Sequence, residues 1–200
     1  MNGKFFDLKK EKQDRMINAA LKIFALNGYR HASTDDIVKE AGISKGLLFH
    51  YFGSKLGVYT FIYDYSVRYM TLELKAAVPA GETDPFTILK QIEQAKLQAL
   101  RGYPYMQLFL TRSNSEDVGE ALLAVEKMRG TLMETYDSLQ GRMDFSRLRE
   151  GIDGAKLCKM LDFTAKGLMS ERFWDASFHP DMLYKEILDY INMTKLLASK

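Results

Sequence analysis

Cysteine occurs once in the 200 residues, at Cys158, so no intramolecular disulfide can form and no Cys-rich zinc site can be assembled. Histidine occurs three times, at His31, His50 and His179, with no pair at a metal-ligand spacing. Proline is found only at Pro79, Pro85, Pro104 and Pro180, each between periodic stretches, where it marks a helix boundary. The longest stretch without Asp, Glu, Lys or Arg is Gly102–Thr111, 10 residues. A membrane helix needs about 20, so none is expected. The first ten residues, MNGKFFDLKK, lack a secretory apolar region and a cleavage site. No nucleophile elbow, P-loop or dinucleotide fingerprint is present. These absences speak against an enzyme. They lead us to expect a cytoplasmic chain with no metal, no cofactor and no membrane partner.

What is present is a charge asymmetry. Net charge over the whole chain is only +2, yet residues 1–55 carry ten Lys/Arg against six Asp/Glu, while residues 56–200 carry eighteen against twenty. A basic front is placed to meet an anionic partner.

Alternating β-branched runs are missing, no Asn-Gly or Asp-Gly pair joins two such runs as a hairpin turn would, and the remaining periodicity is helical, so the chain reads as all-α. A first amphipathic helix covers 8–28, with Ile17, Ala20, Leu21 and Phe24 on one face and Gly28 as its stop. Ser33 caps a helix at 34–41, with Asp36 in the capping-box position. Gly42 ends it, and Ser44 caps another at 45–52. Ser54 opens a long helix to about Val78, and Asp84-Pro85 opens one to about Arg101. Further helices are expected at 105–112, 116–140, 150–171 and 181–198.

The stretch STDDIVKEAGISKGLLFHYF, Ser33–Phe52, is helix, glycine turn, helix. Ile37, Ile43, Leu48 and Phe52 can share a small core with Phe24. Such a corner presents its second helix to a DNA major groove. Lys45 can reach a phosphate or a guanine edge, Gly46 lets a groove edge approach, His50 and Tyr51 can donate to phosphates, and Lys55 can hold the backbone. The bland alternative is a helical corner in some other bundle.

Phe24, Gly28, Tyr29, Thr34 and the run GLLFHYFGSK resemble the N-terminal signature of the TetR family of bacterial transcription regulators, over roughly residues 8–60. The resemblance implies a homodimeric repressor on a palindromic operator. It implies an N-terminal three-helix helix-turn-helix domain, residues 1–54, joined by a long helix to a C-terminal ligand-binding and dimerisation domain, residues 55–200. Its DNA contacts carry over to Thr34, Ser44, Lys45, Gly46, Phe49, His50, Tyr51 and Lys55. Two positions depart from the family pattern. Leu47 stands where a small polar residue is common, and Phe49 lacks the hydroxyl of the usual Tyr.

In the family, a small effector binds among the middle helices. Candidate pocket residues are Tyr63, Glu93, Tyr103, Phe109, Arg129 and Phe163. Most aromatics of this region can equally be plain core. Glu93 and Arg129 interrupt apolar stripes, so each needs a partner, either the other or a charged ligand. The last two helices carry long stripes, with Met160, Phe163, Leu183, Ile187, Tyr190 and Ile191 as candidate dimer-interface residues. The alternative is that these stripes close the monomer's own core.

Overall fold

A computed structural model describes residues 3–174 and 178–200. Among the described residues the helices are α1 Gly3–Phe6, α2 Lys10–His31, α3 Thr34–Ala41, α4 Lys45–Phe52, α5 Lys55–Ala77, α6 Pro85–Gly102, α7 Met106–Ser113, α8 Gly119–Gln140, α9 Gly154–Arg172 and α10 Pro180–Ala198. Among the described residues there is no strand, only one isolated antiparallel bridge between Leu148 and Ser199. The all-α expectation holds.

Most boundaries follow from caps. Ser54 Oγ accepts the N–H of Gly57 at 3.0 Å and starts α5. Asp84 Oδ1 accepts the N–H of Thr87 at 2.7 Å, which puts Pro85 at the first helical position of α6. Gly28 interrupts α2 as expected, at φ 69° and ψ 175°, and one further helical turn runs beyond it to His31. Three expectations need correction. The short helix α1 was not foreseen. Ser33 caps α3 through the N–H of Asp35 rather than that of Asp36. The helix expected from 150 starts at Gly154, because Gly151 turns the chain at φ 84° and Asp153 then caps it, its carboxylate taking the N–H of Lys156 at 3.1 Å.

The chain forms two compact units. The first comprises Met1–Thr71 with Gly102–Met133, the second Leu72–Arg101 with Glu134–Lys200. The first unit is built on rings. Phe24, Tyr59, Tyr63 and Phe109 are almost wholly buried. Tyr59 meets Phe24 edge-on at 5.1 Å and Phe109 at 5.5 Å. Burying each such ring stabilises the unit by about 1.5–3 kcal/mol before chain entropy is charged against it. Tyr103 holds the far end of α2: its hydroxyl donates to Asp14 at 2.9 Å, lies 2.5 Å from that of Tyr65, and accepts from Lys10 at 3.2 Å.

In the second unit, Phe86, Leu100, Leu148, Leu161 and Ala165 pack with Leu183, Ile187, Ile191 and Ala198. This corrects the expected dimer stripe. Leu183, Ile187 and Ile191 are 6%, 7% and 2% exposed, so they close the chain's own core. A second apolar stripe on the same helices stays outside: Met160 and Phe163 on α9, and Met182, Tyr190, Met193 and Leu197 on α10.

Candidate nucleic-acid interface

The α3–α4 corner is shaped by three residues. Gly42 adopts φ 61°, a left-handed conformation that costs a glycine little, and its N–H returns to the carbonyls of Val38 and Lys39. The N–H of Ile43 also bonds the carbonyl of Val38, at 3.0 Å. Ser44 is extended, and its Oγ accepts the N–H of Leu47 at 3.2 Å, which opens α4 in a new direction. Ile37 and Leu48 are buried, and Phe24 and Tyr59 are buried within the same unit.

The register that buries Leu48 turns the other side of α4 outward. Ser44, Lys45, Gly46 and His50 are exposed, while Thr34, Phe49, Tyr51 and Lys55 are half-buried. A Cβ at Gly46 would meet no atom of the protein within 4 Å. A glycine in a first helical turn therefore has no packing reason here, although it costs about 1 kcal/mol relative to alanine. Open space above a glycine suits an approaching groove. Lys45 Nζ lies 2.8 Å from Asp35 Oδ1, in a solvent-facing pair between α3 and α4.

Lys55 is more deeply engaged than expected. Its ammonium donates to the carbonyl of Arg30 at 3.2 Å and sits 4.7 Å above the ring of Tyr29. Burial holds its pKa below the ordinary lysine value. Tyr29 is itself a joint between α2 and the start of α8. Its N–H donates to Glu116 at 2.8 Å and its hydroxyl to Glu120 at 2.6 Å, while Arg30 pairs with Asp117 at 3.1 Å. Burial, then the bond to Glu120, pushes the Tyr29 phenol well above its usual pKa. Gly28 allows the tight approach: a Cβ there would lie 3.3 Å from Arg112 Nε.

Of the six expected pocket residues, Tyr63, Tyr103, Phe109 and Arg129 fall in the first unit and Glu93 and Phe163 in the second. Tyr63 and Phe109 meet at 6.0 Å, and the positive charge of Arg129 acts on the hydroxyls of both Tyr59 and Tyr63. Arg129 is half-buried and has no hydrogen bond or ion pair among the described residues. Tyr103 is committed to the Asp14–Tyr65 network. Glu93 and Phe163 belong to the second unit. There Glu93 is paired with Lys96 at 2.6 Å, which supplies the partner its burial demands without Arg129. Phe163 is 60% exposed, with the Lys159 ammonium 5.6 Å above its ring.

Sequence reading missed Phe5, which is wholly buried against Tyr51, Phe52 and Phe61. It also missed the Tyr29 joint, for which the Glu116–Glu120 spacing of one helical turn was the available clue. Among the described residues, no cluster of three or more His, Cys, Asp or Glu could hold a metal, and no helix is long and apolar enough to cross a membrane.

Residues 16–59 match the family model of bacterial regulatory proteins, tetR family. The chain is 23% identical over 190 residues to the HTH-type transcriptional regulator AcrR of Shigella flexneri, covering 90% of this chain and 86% of that protein. It is 25% identical over 169 residues to the regulator BetI of Agrobacterium fabrum, covering 80% and 82%. Two solved structures share the fold. One is a TetR family transcriptional regulator from Chloroflexus aurantiacus, with TM-score 0.67, 22% identity and coverage of 98% and 97%. The other is the ketosteroid transcriptional regulator KstR2 of Mycobacterium tuberculosis, with TM-score 0.68, 16% identity and coverage of 100% and 97%.

Proposed function

Since the chain belongs to the tetR family of bacterial regulatory proteins, which bind DNA through this helix-turn-helix, we propose that it is a homodimeric repressor of the cytoplasm. One α4 from each protomer reads one half of an inverted-repeat operator, and a small lipophilic ligand releases the complex. The function divides at residues 54 and 55. The observation that carries the reading is the α4 face itself: Ser44, Lys45, Gly46 and His50 lie open on a helix whose other side is locked into the core. Thr34, Phe49, Tyr51 and Lys55 border that face. Lys45 reads a base edge, and the others position the helix on sugar and phosphate.

The dimer forms through the outer stripe of α9 and α10. Met160, Phe163, Tyr190, Met193 and Leu197 follow helical spacing and are all at least 39% exposed. An apolar face of that length is unusual on a monomer. A four-helix contact between two copies covers it.

The ligand is sensed by Tyr59, Tyr63, Phe109 and Arg129 in the first unit. Arg129, with no carboxylate partner among the described residues, favours a ligand with a negative head. The Tyr29 joint carries the response, since it links the helix bearing Arg129 to the reading module. The test is a duplex selected by the purified protein from a random pool. A palindromic consensus bound by a dimer, with base preference lost in Lys45→Ala, supports the reading. Selection that yields no consensus contradicts it. Lipophilic carboxylates are then titrated with and without saturating operator. A coupling of about 1–3 kcal/mol, equal in both directions, is expected, and identical affinities in the two titrations would remove ligand control.

A further inference from the structure

Helix α4 is eight residues long, too short to hold a pose by itself, so whatever packs on it sets its angle. Within α4 only Leu48 is buried. A helix held at one point can still pivot. Its last turn has a second holder. The ring of Phe5, on α1 and itself wholly buried, meets Tyr51 edge-on at 5.8 Å and Phe52 at 5.4 Å. The same ring meets Phe61 of α5 edge-on at 4.9 Å, and Phe52 and Phe61 also meet directly, at 4.8 Å. Helix α1 is tied in turn to α2: Gln13 donates its amide to the carbonyls of Phe6 at 3.0 Å and Leu8 at 2.7 Å.

The elbow between α4 and α5 is built tightly. Gly53 adopts φ 73° and ψ −44°, and the N–H of Ser54 donates to the Phe52 carbonyl at 2.8 Å, a γ-turn that a side chain at this position would strain. A Cβ on Gly57 would lie 1.9 Å from that same Phe52 oxygen. Two glycines therefore bring the start of α5 directly against the end of α4. The Phe5 ring packs on both helices beside this joint.

We propose that Phe5 and Gly57 are positioning residues for DNA reading: they lock the α4–α5 elbow, which fixes the angle at which α4 presents Lys45 and its neighbours. The inference rests on α4 being the DNA-reading helix. Base contacts need their donors held within about 0.5 Å and 10–20° of the productive geometry, whereas attraction to phosphates tolerates displacement. An unlocked elbow therefore loses base discrimination before it loses the duplex.

The experiment titrates the full chain with two duplexes across a salt series: the palindrome that the wild type selects, and a scrambled copy of equal length. Each variant is measured below the temperature at which circular dichroism shows any unfolding. Phe5→Ala and Gly57→Ala are each expected to lower the preference for the palindrome by about tenfold, the worth of one base contact. Affinity for the scrambled duplex and its salt slope should stay near wild type. Phe5→Leu keeps an apolar side chain in the slot and stands in if Phe5→Ala does not fold, with a smaller loss in the same direction. Lys45→Ala should cost less preference in either Phe5 background than in the wild type, because the lysine is already displaced. A folded Phe5 or Gly57 variant with wild-type preference overturns the role of that residue. An equal loss on both duplexes also overturns it, and makes the residue part of the fold alone. A wild type that does not distinguish the two duplexes overturns the α4 reading on which the proposal rests.

Discussion

At the scale of single residues, the α2 end shows how one conformation serves several contacts. Gly28 sits at φ 69° and ψ 175°, a region open essentially to glycine alone. That turn delivers the N–H of Tyr29 to Glu116 and its hydroxyl to Glu120. Gly28→Ala is expected to cost about 1–3 kcal/mol in a denaturant titration, through backbone strain and the displacement of Arg112. Tyr29→Phe removes one short bond to a carboxylate and should cost about 1 kcal/mol. If the joint transmits control, the same substitution should also reduce the effect of a bound ligand on operator affinity. A change in stability with unchanged ligand response would make Tyr29 a packing residue only. Glycine and tyrosine at these positions were visible as part of a family signature. The acidic partners were not, because they lie 87 and 91 residues further along the chain.

At the scale of helices, caps were legible and partners were not. Ser44, Ser54 and Asp84 act over three residues, so the letters beside them suffice to place α4, α5 and α6. Asp84 gives a pH test. Burial raises its carboxyl pKa, but the Thr87 hydroxyl and N–H, and then Lys195, more than offset this and hold it below the ordinary range. A depressed folded-state value stabilises above the unfolded value near 4 and loses that contribution as pH falls through the folded one. Asp84→Ala should therefore cost about 0.5–2 kcal/mol at pH 7. The gap from wild type should close as the pH drops below about 4, followed by thermal unfolding at each pH. Helix α10 shows the limit of pattern reading. Periodicity groups Leu183, Ile187 and Ile191 on one face but is silent on what covers it. The core of the second unit covers it, and the neighbouring stripe stays exposed. Ile191→Ala is expected to cost about 2–5 kcal/mol without changing the oligomeric state, because it leaves a cavity in the chain's own core. Leu197→Glu with Phe163→Glu should instead yield a folded monomer that loses operator affinity, read by sedimentation and by titration of the duplex. A double variant that remains dimeric would move the interface elsewhere.

At the scale of the whole molecule, the proposal is of a DNA reader whose grip depends on two copies. The all-α fold and the α3–α4 corner were legible because helix periodicity, glycine turns and serine caps are local. The buried Phe5 was not, since its ring partners Tyr51, Phe52 and Phe61 lie far away in the sequence. The split of the expected pocket residues between two compact units was hidden for the same reason. The measurement that bears most directly on the central claim compares wild type and Lys45→Ala on two duplexes, the selected palindrome and a scrambled copy of equal length, across a salt series. Specific sites are typically about 10³–10⁷ times tighter than non-specific ones, so wild type should prefer the palindrome by at least about 10³. Its affinity for either duplex should fall linearly on a log–log plot of salt. Lys45→Ala should reduce the preference far more than it reduces binding to the scrambled duplex. Equal affinity of the wild type for the two duplexes, or an unchanged preference in Lys45→Ala, would contradict the assignment of α4 as the helix that reads DNA.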